Sequence, residues 1–435
     1  MASLVEIGTI RRMARLAFIC FIISLCSALL AAPQMSASAT FPLVSAKAAI
    51  LMDRQTGMVL WSYNPDLALP MASTTKIMTA MVILDHGADK LDQSVVVSEH
   101  ASSTGGSSLL AAGDILTLRE LLVSALVRSS NEATVAAAEY LTGGNVQQFV
   151  DWMNEKAQSL GLKHTHFVNP HGLYDPKVGA QHYSSARDLA TMASYSLTHY
   201  PLIREIVRSG RPRPVVIHTQ NRGNLIVENR DKLINGPVPG IPGAIVDGVK
   251  TGFVVEAGRC LVSSASLGNW QLVAVVLNSQ QMYQENLALL HYGFSRYIWK
   301  TYASSTQAWE TPVQVSWGTS TTVPVGVKGI LGAPVPRLEY GETVDDHVVF
   351  AGDRPSAPIA RGEQIGTLEL WRNGRRIASA PAVALQPVPV AWWAHVLATL
   401  WYLTLTVLGL FIVGKIYGKI AKSHRRRRRH LAASR

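Results

Sequence analysis

Cysteine is nearly absent. The chain of 435 residues holds three, and Cys20 and Cys26 sit in its N-terminal apolar stretch. Cys260 is left alone in the body, so no intrachain disulfide is expected once that stretch is removed. Ile19 and Leu25, which precede the early cysteines, are too large for a lipid-attachment site. The 13 histidines are scattered, and His164-Thr165-His166 has no partner cluster. No metal site and no cofactor are expected. Charge is also sparse, 16% of residues against 48% hydrophobic, which is the composition of a folded chain with a real core. The net charge of +11 does not mark a nucleic-acid binder, because the basic excess sits at the two ends. From Lys415 onward there are nine Lys/Arg and no Asp/Glu; residues 1–15 hold three Arg against Glu6, leaving 28 basic and 28 acidic residues between. The body is neutral.

Both basic ends flank apolar runs. At the start, a basic region, an apolar stretch from Leu16 to Ala32 and Ala37-Ser38-Ala39 read as a signal peptide over 1–39, or as an uncleaved anchor. Near the other end no Asp, Glu, Lys or Arg occurs from Ile377 to Gly414. The segment 391–414 is long enough to cross about 30 Å of hydrocarbon. Trp392 and Trp393 stand where an interfacial belt belongs, and the basic tail 415–435 follows. Positive charge at both cytoplasmic flanks predicts a body outside the cytoplasm and a tail within.

Between these ends, the apolar runs around Gln55-Thr56-Gly57 predict a hairpin over 48–64. Ser73 to Leu84 reads as a buried helix, and Leu118, Leu121, Leu122 and Ala125 share one helical face. Residues 184–197 read as a capped helix. Runs at 246–254, 260–266 and 271–278 are β-rich, with a turn at Gly268-Asn269 and a last helix over about 282–299. Strands on both sides of a helical centre imply one sheet closed by both chain halves, in an α/β domain over 40–302. Short alternating strands and an Asn373-Gly374 turn make 303–388 a small all-β domain.

The chemistry is carried by three triplets. Ser73 and Lys76 lie three apart at a helix start, so they share a face, and a Lys kept neutral by burial can take the Ser proton. Ser129-Ser130-Asn131 falls at the junction of two helical stretches, and Lys250-Thr251-Gly252 on a strand before a hairpin. Ser-x-x-Lys, Ser-x-Asn and Lys-Thr-Gly in this order resemble the penicillin-binding-protein and serine β-lactamase superfamily. The segments "ASTTKIMTA", "NPHGL", "SSARDLA", "VDGVKTGF" and "AGRCLVSSA" are similar more closely to the low-molecular-weight D-alanyl-D-alanine carboxypeptidases.

That resemblance implies a β-lactamase/transpeptidase-like catalytic domain with a small C-terminal all-β domain and a C-terminal transmembrane helix. It also implies a role for each matched residue. Ser73 would attack the carbonyl before the terminal D-alanine of a peptidoglycan stem peptide, with Lys76 as base. Ser129 would relay a proton to the leaving amine. Asn131, Lys250, Thr251 and Gly252 would bind substrate, and the backbone N–H groups of Ser73 and Phe253 would form the oxyanion hole. β-Lactams would acylate Ser73. The chain departs from the pattern in three places: Phe253 after Lys-Thr-Gly, Ser130 in the second triplet, and no Arg between Arg259 and Arg296, where some relatives carry a carboxylate-binding Arg. Arg222 and Arg230 are candidates to replace it. His171 reads as a loop brace rather than a base. No Glu lies between Glu155 and Glu205, which disfavours a β-lactamase. A D,D-endopeptidase cutting cross-links stays open, as does a non-enzymatic β-lactam-acylated sensor or wall-binding protein.

Overall fold

Apolar residues on both faces of a strand require cover on both sides, and the strands near each end of the catalytic domain have that pattern. The structure, a computed structural model, describes residues 42–433. The expected signal peptide lies outside the described residues. Strands β1 (Ala48–Asp53) and β2 (Val59–Tyr63) form the expected hairpin, and β3 (Ala244–Val254), β4 (Gly258–Leu267) and β5 (Trp270–Ser279) complete an antiparallel sheet in the order β2-β1-β5-β4-β3. The two halves of the chain meet at β1 and β5.

Alternation along these strands divides the core. Ala48, Ile50 and Met52 of β1, with Val273, Val275 and Leu277 of β5, face the central helices. Ala49 and Leu51, with Leu272, Ala274 and Val276, face the opposite layer. One layer contains α1 (Lys76–Gly87), α2 (Asn131–Thr142), α3 (Val146–Ser159) and α4 (Ala186–His199); the other is α5 (Met282–Arg296), packed through Leu289, Leu290 and Phe294. The helix expected to continue to about 299 ends at Arg296. Tyr297–Ser304 is instead β6, whose alternating burial suits pairing with Ile330–Pro336.

The C-terminal region is all-β but for one short turn of helix, as its composition implies. Its four-stranded sheet contains a hairpin between Gln364–Arg372 and Arg375–Ala384, turned by Asn373 and Gly374 at φ 49° and 74°. Positive φ at both central residues gives a turn whose twist matches the strands. Helix α6 (Trp392–Ala433) follows, and its segment Trp392–Ser423 is long and apolar enough to cross a membrane.

Candidate active site

Residues 71–76 do not form one regular helix. Ala72–Thr75 is a 3₁₀ turn that runs into α1 at Lys76, so the buried helix read from Ser73 begins more tightly wound than expected. Ala72 has φ 49°, rare for a residue with a Cβ. Three contacts hold it there. The Ala72 carbonyl accepts from the Thr75 hydroxyl at 2.7 Å, and Thr75 Oγ1 meets His182 Nε2, also at 2.7 Å. Because His182 Nδ1 accepts from the Val168 amide at 3.1 Å, the ring proton sits on Nε2 and points at Thr75. Burial, with His166 and Lys76 nearby, lowers the His182 pKa to about 3, keeping it neutral. Gly172 closes the turn from the other side, where a Cβ would lie 2.0 Å from the Ala72 oxygen.

Lys76 Nζ lies 3.0 Å from Ser73 Oγ, 2.6 Å from Asn131 Oδ1 and 2.8 Å from the His171 carbonyl. Asn131 is oriented by its Nδ2, which donates to the Gly105 carbonyl at 2.8 Å. Two of the three contacts therefore demand N–H donors. A neutral amine has two N–H groups and one lone pair, so the lone pair is left for the Ser73 hydroxyl. Lys76 is wholly buried, and burial, followed by the charges of Lys250 and Arg230, pushes its pKa well below the usual lysine value; Glu132 opposes this only in part.

Ser129 and Ser130 behave oppositely. A single widened helical turn, Ser124–Arg128, ends at Ser129 in the left-handed region, φ 66°, which turns its side chain into the cleft. Ser130 caps α2, accepting from the Ala133 amide, and donates to Glu132 Oε2 at 2.7 Å. It is occupied in the fold.

The third triplet lies on β3, an edge strand. Its first residues are covered by backbone bonds with 235–238, while Thr251 to Val254 border the cleft. Gly252 is required by contact, since a Cβ there would lie 2.9 Å from the Met71 carbonyl and 3.2 Å from the Ser73 nitrogen. The strand thus runs against the backbone N–H of Ser73. Lys250 is buried, donates to the Thr251 carbonyl at 3.0 Å, and has its pKa lowered to about 7 by burial first and Arg230 second, against Asp231. Phe253 is 63% exposed, with the Arg259 guanidinium over its ring.

These residues share one open cleft of about 880 Å³ that Ser73, Ser129, Asn131, Thr251, Gly252 and Phe253 help to line. Arg230 lines it too, and its backbone carbonyl accepts from Tyr283 in the region where the sequence lacks an Arg. Arg222 does not reach it; its guanidinium is paired with Asp114 at 2.8 and 2.5 Å. His171 braces its loop as expected, its Nδ1 accepting from the Leu173 amide. No motif signals its carbonyl as a partner of Lys76, nor the His182–Thr75–Ala72 support. Among the described residues no group of three or more His, Cys, Asp or Glu could hold a metal ion.

The family profile described as D-alanyl-D-alanine carboxypeptidase matches residues 34–281, and that of the penicillin-binding protein 5 C-terminal domain matches 300–390. The chain belongs to the D-alanyl-D-alanine carboxypeptidases, the low-molecular-weight penicillin-binding proteins. It is 35% identical over 361 residues to the D-alanyl-D-alanine carboxypeptidase DacF of Bacillus subtilis, covering 80% of this chain and 86% of that protein. A D-alanyl-D-alanine endopeptidase of Pseudomonas aeruginosa is 36% identical over 233 residues, covering 53% of this chain and 70% of the relative. The crystal structure of penicillin-binding protein 5 from Haemophilus influenzae superposes with a TM-score of 0.61 at 29% identity, over 80% of this chain and 99% of the other. The expected transpeptidase-like fold with a C-terminal β domain is therefore the observed one.

Proposed function

We propose that this member of the family removes the terminal D-alanine from peptidoglycan stem pentapeptides through an acyl-enzyme on Ser73. The observation that carries the reading is the Lys76 amine, which is buried, depressed in pKa and has two carbonyl-type acceptors, so that its lone pair faces the Ser73 hydroxyl. Lys76 takes the proton as Ser73 Oγ attacks the penultimate carbonyl, and the developing oxyanion is held by the Ser73 and Phe253 N–H groups. Ser129 passes a proton to the departing D-alanine amine, and water then releases the shortened peptide. Asn131 and the edge of β3 at Lys250 to Gly252 hold the substrate amides. β-Lactams enter the same path and stop at the acyl-enzyme. The catalytic and β domains work on the wall side of a bacterial cell membrane, anchored by α6, with the basic tail in the cytoplasm.

The terminal carboxylate falls to Lys250, Thr251 and Arg230. Arg230, which lines the cleft, lowers the pKa of the buried Lys250 by repulsion, and a carboxylate bound beside them relieves that repulsion while holding Lys250 charged. The test compares D-alanine release from a free-acid pentapeptide with cleavage of its C-terminal amide. Wild type and Arg222→Ala should prefer the acid, and Arg230→Ala should lose about ten- to a hundredfold of that preference, the cost of a hydrogen bond to a charged group. Equal turnover of acid and amide by wild type would favour the endopeptidase reading, whose substrate continues past the scissile bond.

A further inference from the structure

The β domain carries one large aromatic side chain in a place that its own core does not explain. Trp317 is half exposed and has φ 62°, a left-handed conformation that a bulky residue adopts rarely. The loop around it is nevertheless well tied. The Ser316 amide donates to the Pro355 carbonyl and accepts from Ala357 through its own carbonyl, both at 2.9 Å. The Trp317 carbonyl accepts from the Ala391 amide at 2.8 Å, one residue before α6 starts. Thr319 donates to the Pro389 carbonyl at 2.9 Å, and a Cβ on Gly318 would lie 2.6 Å from a Val388 methyl. Val388 itself exchanges backbone bonds with Ile359. The segment between β domain and apolar helix is therefore pinned along its length.

This pinning sets Trp317 beside the base of α6, although some 75 residues separate it from Trp392 and Trp393 in sequence. Its ring lies 5.5 Å from that of Trp393. With Trp392 at 76% and Trp393 at 41% exposure, three indoles drawn from two parts of the chain gather where the helix leaves the domain. Arg354, exposed and donating to the Val315 carbonyl at 3.2 Å, adds a cation to the same loop cluster. Indoles with a wet and an apolar side, next to a guanidinium and continuous with a spanning helix, suit the headgroup layer of a phospholipid surface.

We propose that Trp317 and Arg354 dock the β domain on the bilayer, in the same interfacial layer as Trp392 and Trp393. The domain then sits on the membrane in one orientation instead of swinging from a tether, and it carries the active site with it. This rests on reading α6 as a membrane-spanning helix.

The test uses the full chain, freed of its cysteines, in vesicles of phosphatidylcholine and phosphatidylglycerol. An environment-sensitive fluorophore is placed in turn at Trp317→Cys, at Leu403→Cys within α6, and at Ile226→Cys on an exposed hairpin of the catalytic domain. Penicillin labelling checks that each variant is folded. Quenching by iodide in water is compared with quenching by lipids that carry a nitroxide high on the acyl chain. The position 317 label should be quenched several-fold less by iodide than the label at 226, and strongly by the lipid nitroxide. A label at 317 open to iodide while that at 403 is quenched by lipid would overturn the docking and keep the anchor, leaving the indoles to a protein partner. If neither is quenched by lipid, the spanning reading falls and the docking with it.

Discussion

At the scale of single residues, the site depends on a few close approaches that leave no room for substitution. Lys76→Ala should fold yet acylate at least about a hundredfold more slowly with a β-lactam, the scale of a positioned base. Near-normal labelling would mean that another group takes the proton. Gly172→Ala should be as damaging without touching any reacting group, because its Cβ would meet the Ala72 oxygen at 2.0 Å in a backbone with φ +88°. Gly172→Ala should also melt at a lower temperature, so acylation is measured well below that midpoint, where a near-normal rate would remove the positioning role of Gly172. Lys250 supplies the pH dependence. Its pKa of about 7 means that the free enzyme loses this charge as pH rises through neutrality. For a free-acid peptide, kcat/KM should therefore fall on the alkaline side of that value, while an uncharged ester should not follow it. The triplets were legible because Ser73 with Lys76, Ser129 with Asn131, and Lys250 with Thr251 and Gly252 are each local in sequence. The supports were not, because His171 and His182 reach Lys76 and Thr75 from about a hundred positions away, one of them through a backbone carbonyl that has no sequence signature.

At the scale of elements, hairpins were legible and irregular helices were not. The turns at Gly57, Gly268 and Asn373-Gly374 stand where these residues adopt positive φ, and they fix the strand pairs on either side. The 3₁₀ entry to α1 and the widened turn before Ser129 follow the same apolar spacing as regular helix, so nothing in the pattern announces them. Each places a Ser of the proposed mechanism. The β domain is secured by a buried pair: Arg372 donates to Asp346 at 2.6 and 2.7 Å and reaches the Pro334 carbonyl and Met58 of the catalytic domain, while the Tyr302 hydroxyl also bonds Asp346. Burial alone would raise the Asp346 pKa, but Arg372 and Tyr302 outweigh it and hold it below the usual value. Its contribution is present above about pH 4 and is lost as pH falls through the depressed value. Arg372→Met should cost about 3–5 kcal/mol at neutral pH by leaving a carboxylate buried without its partner, measured by denaturant unfolding. That difference from wild type should shrink in acid, and a deficit independent of pH would show that the loss is packing rather than charge.

At the scale of the whole molecule, the neutral body between two basic, apolar ends fits the proposed anchoring in a membrane, and the described chain has a peptidase fold, a β domain and an apolar helix in that order. Ending the chain at Val390 should give a soluble protein that still reacts with penicillin, since among the described residues those that line the cleft fall between 73 and 283. The way in which the β domain holds the start of α6 was hidden from sequence, because it is made of backbone bonds between segments such as 316–319 and 388–391. The proposed chemistry turns on acylation of Ser73 with Lys76 as its base. Mass spectrometry of the intact protein and its peptides after incubation with a β-lactam decides this. A single adduct is expected on the peptide bearing Ser73, with no adduct on Ser73→Ala and loss of D-alanine release in that same variant. An adduct on Ser129 or Ser130, or one that survives in Ser73→Ala, would contradict it.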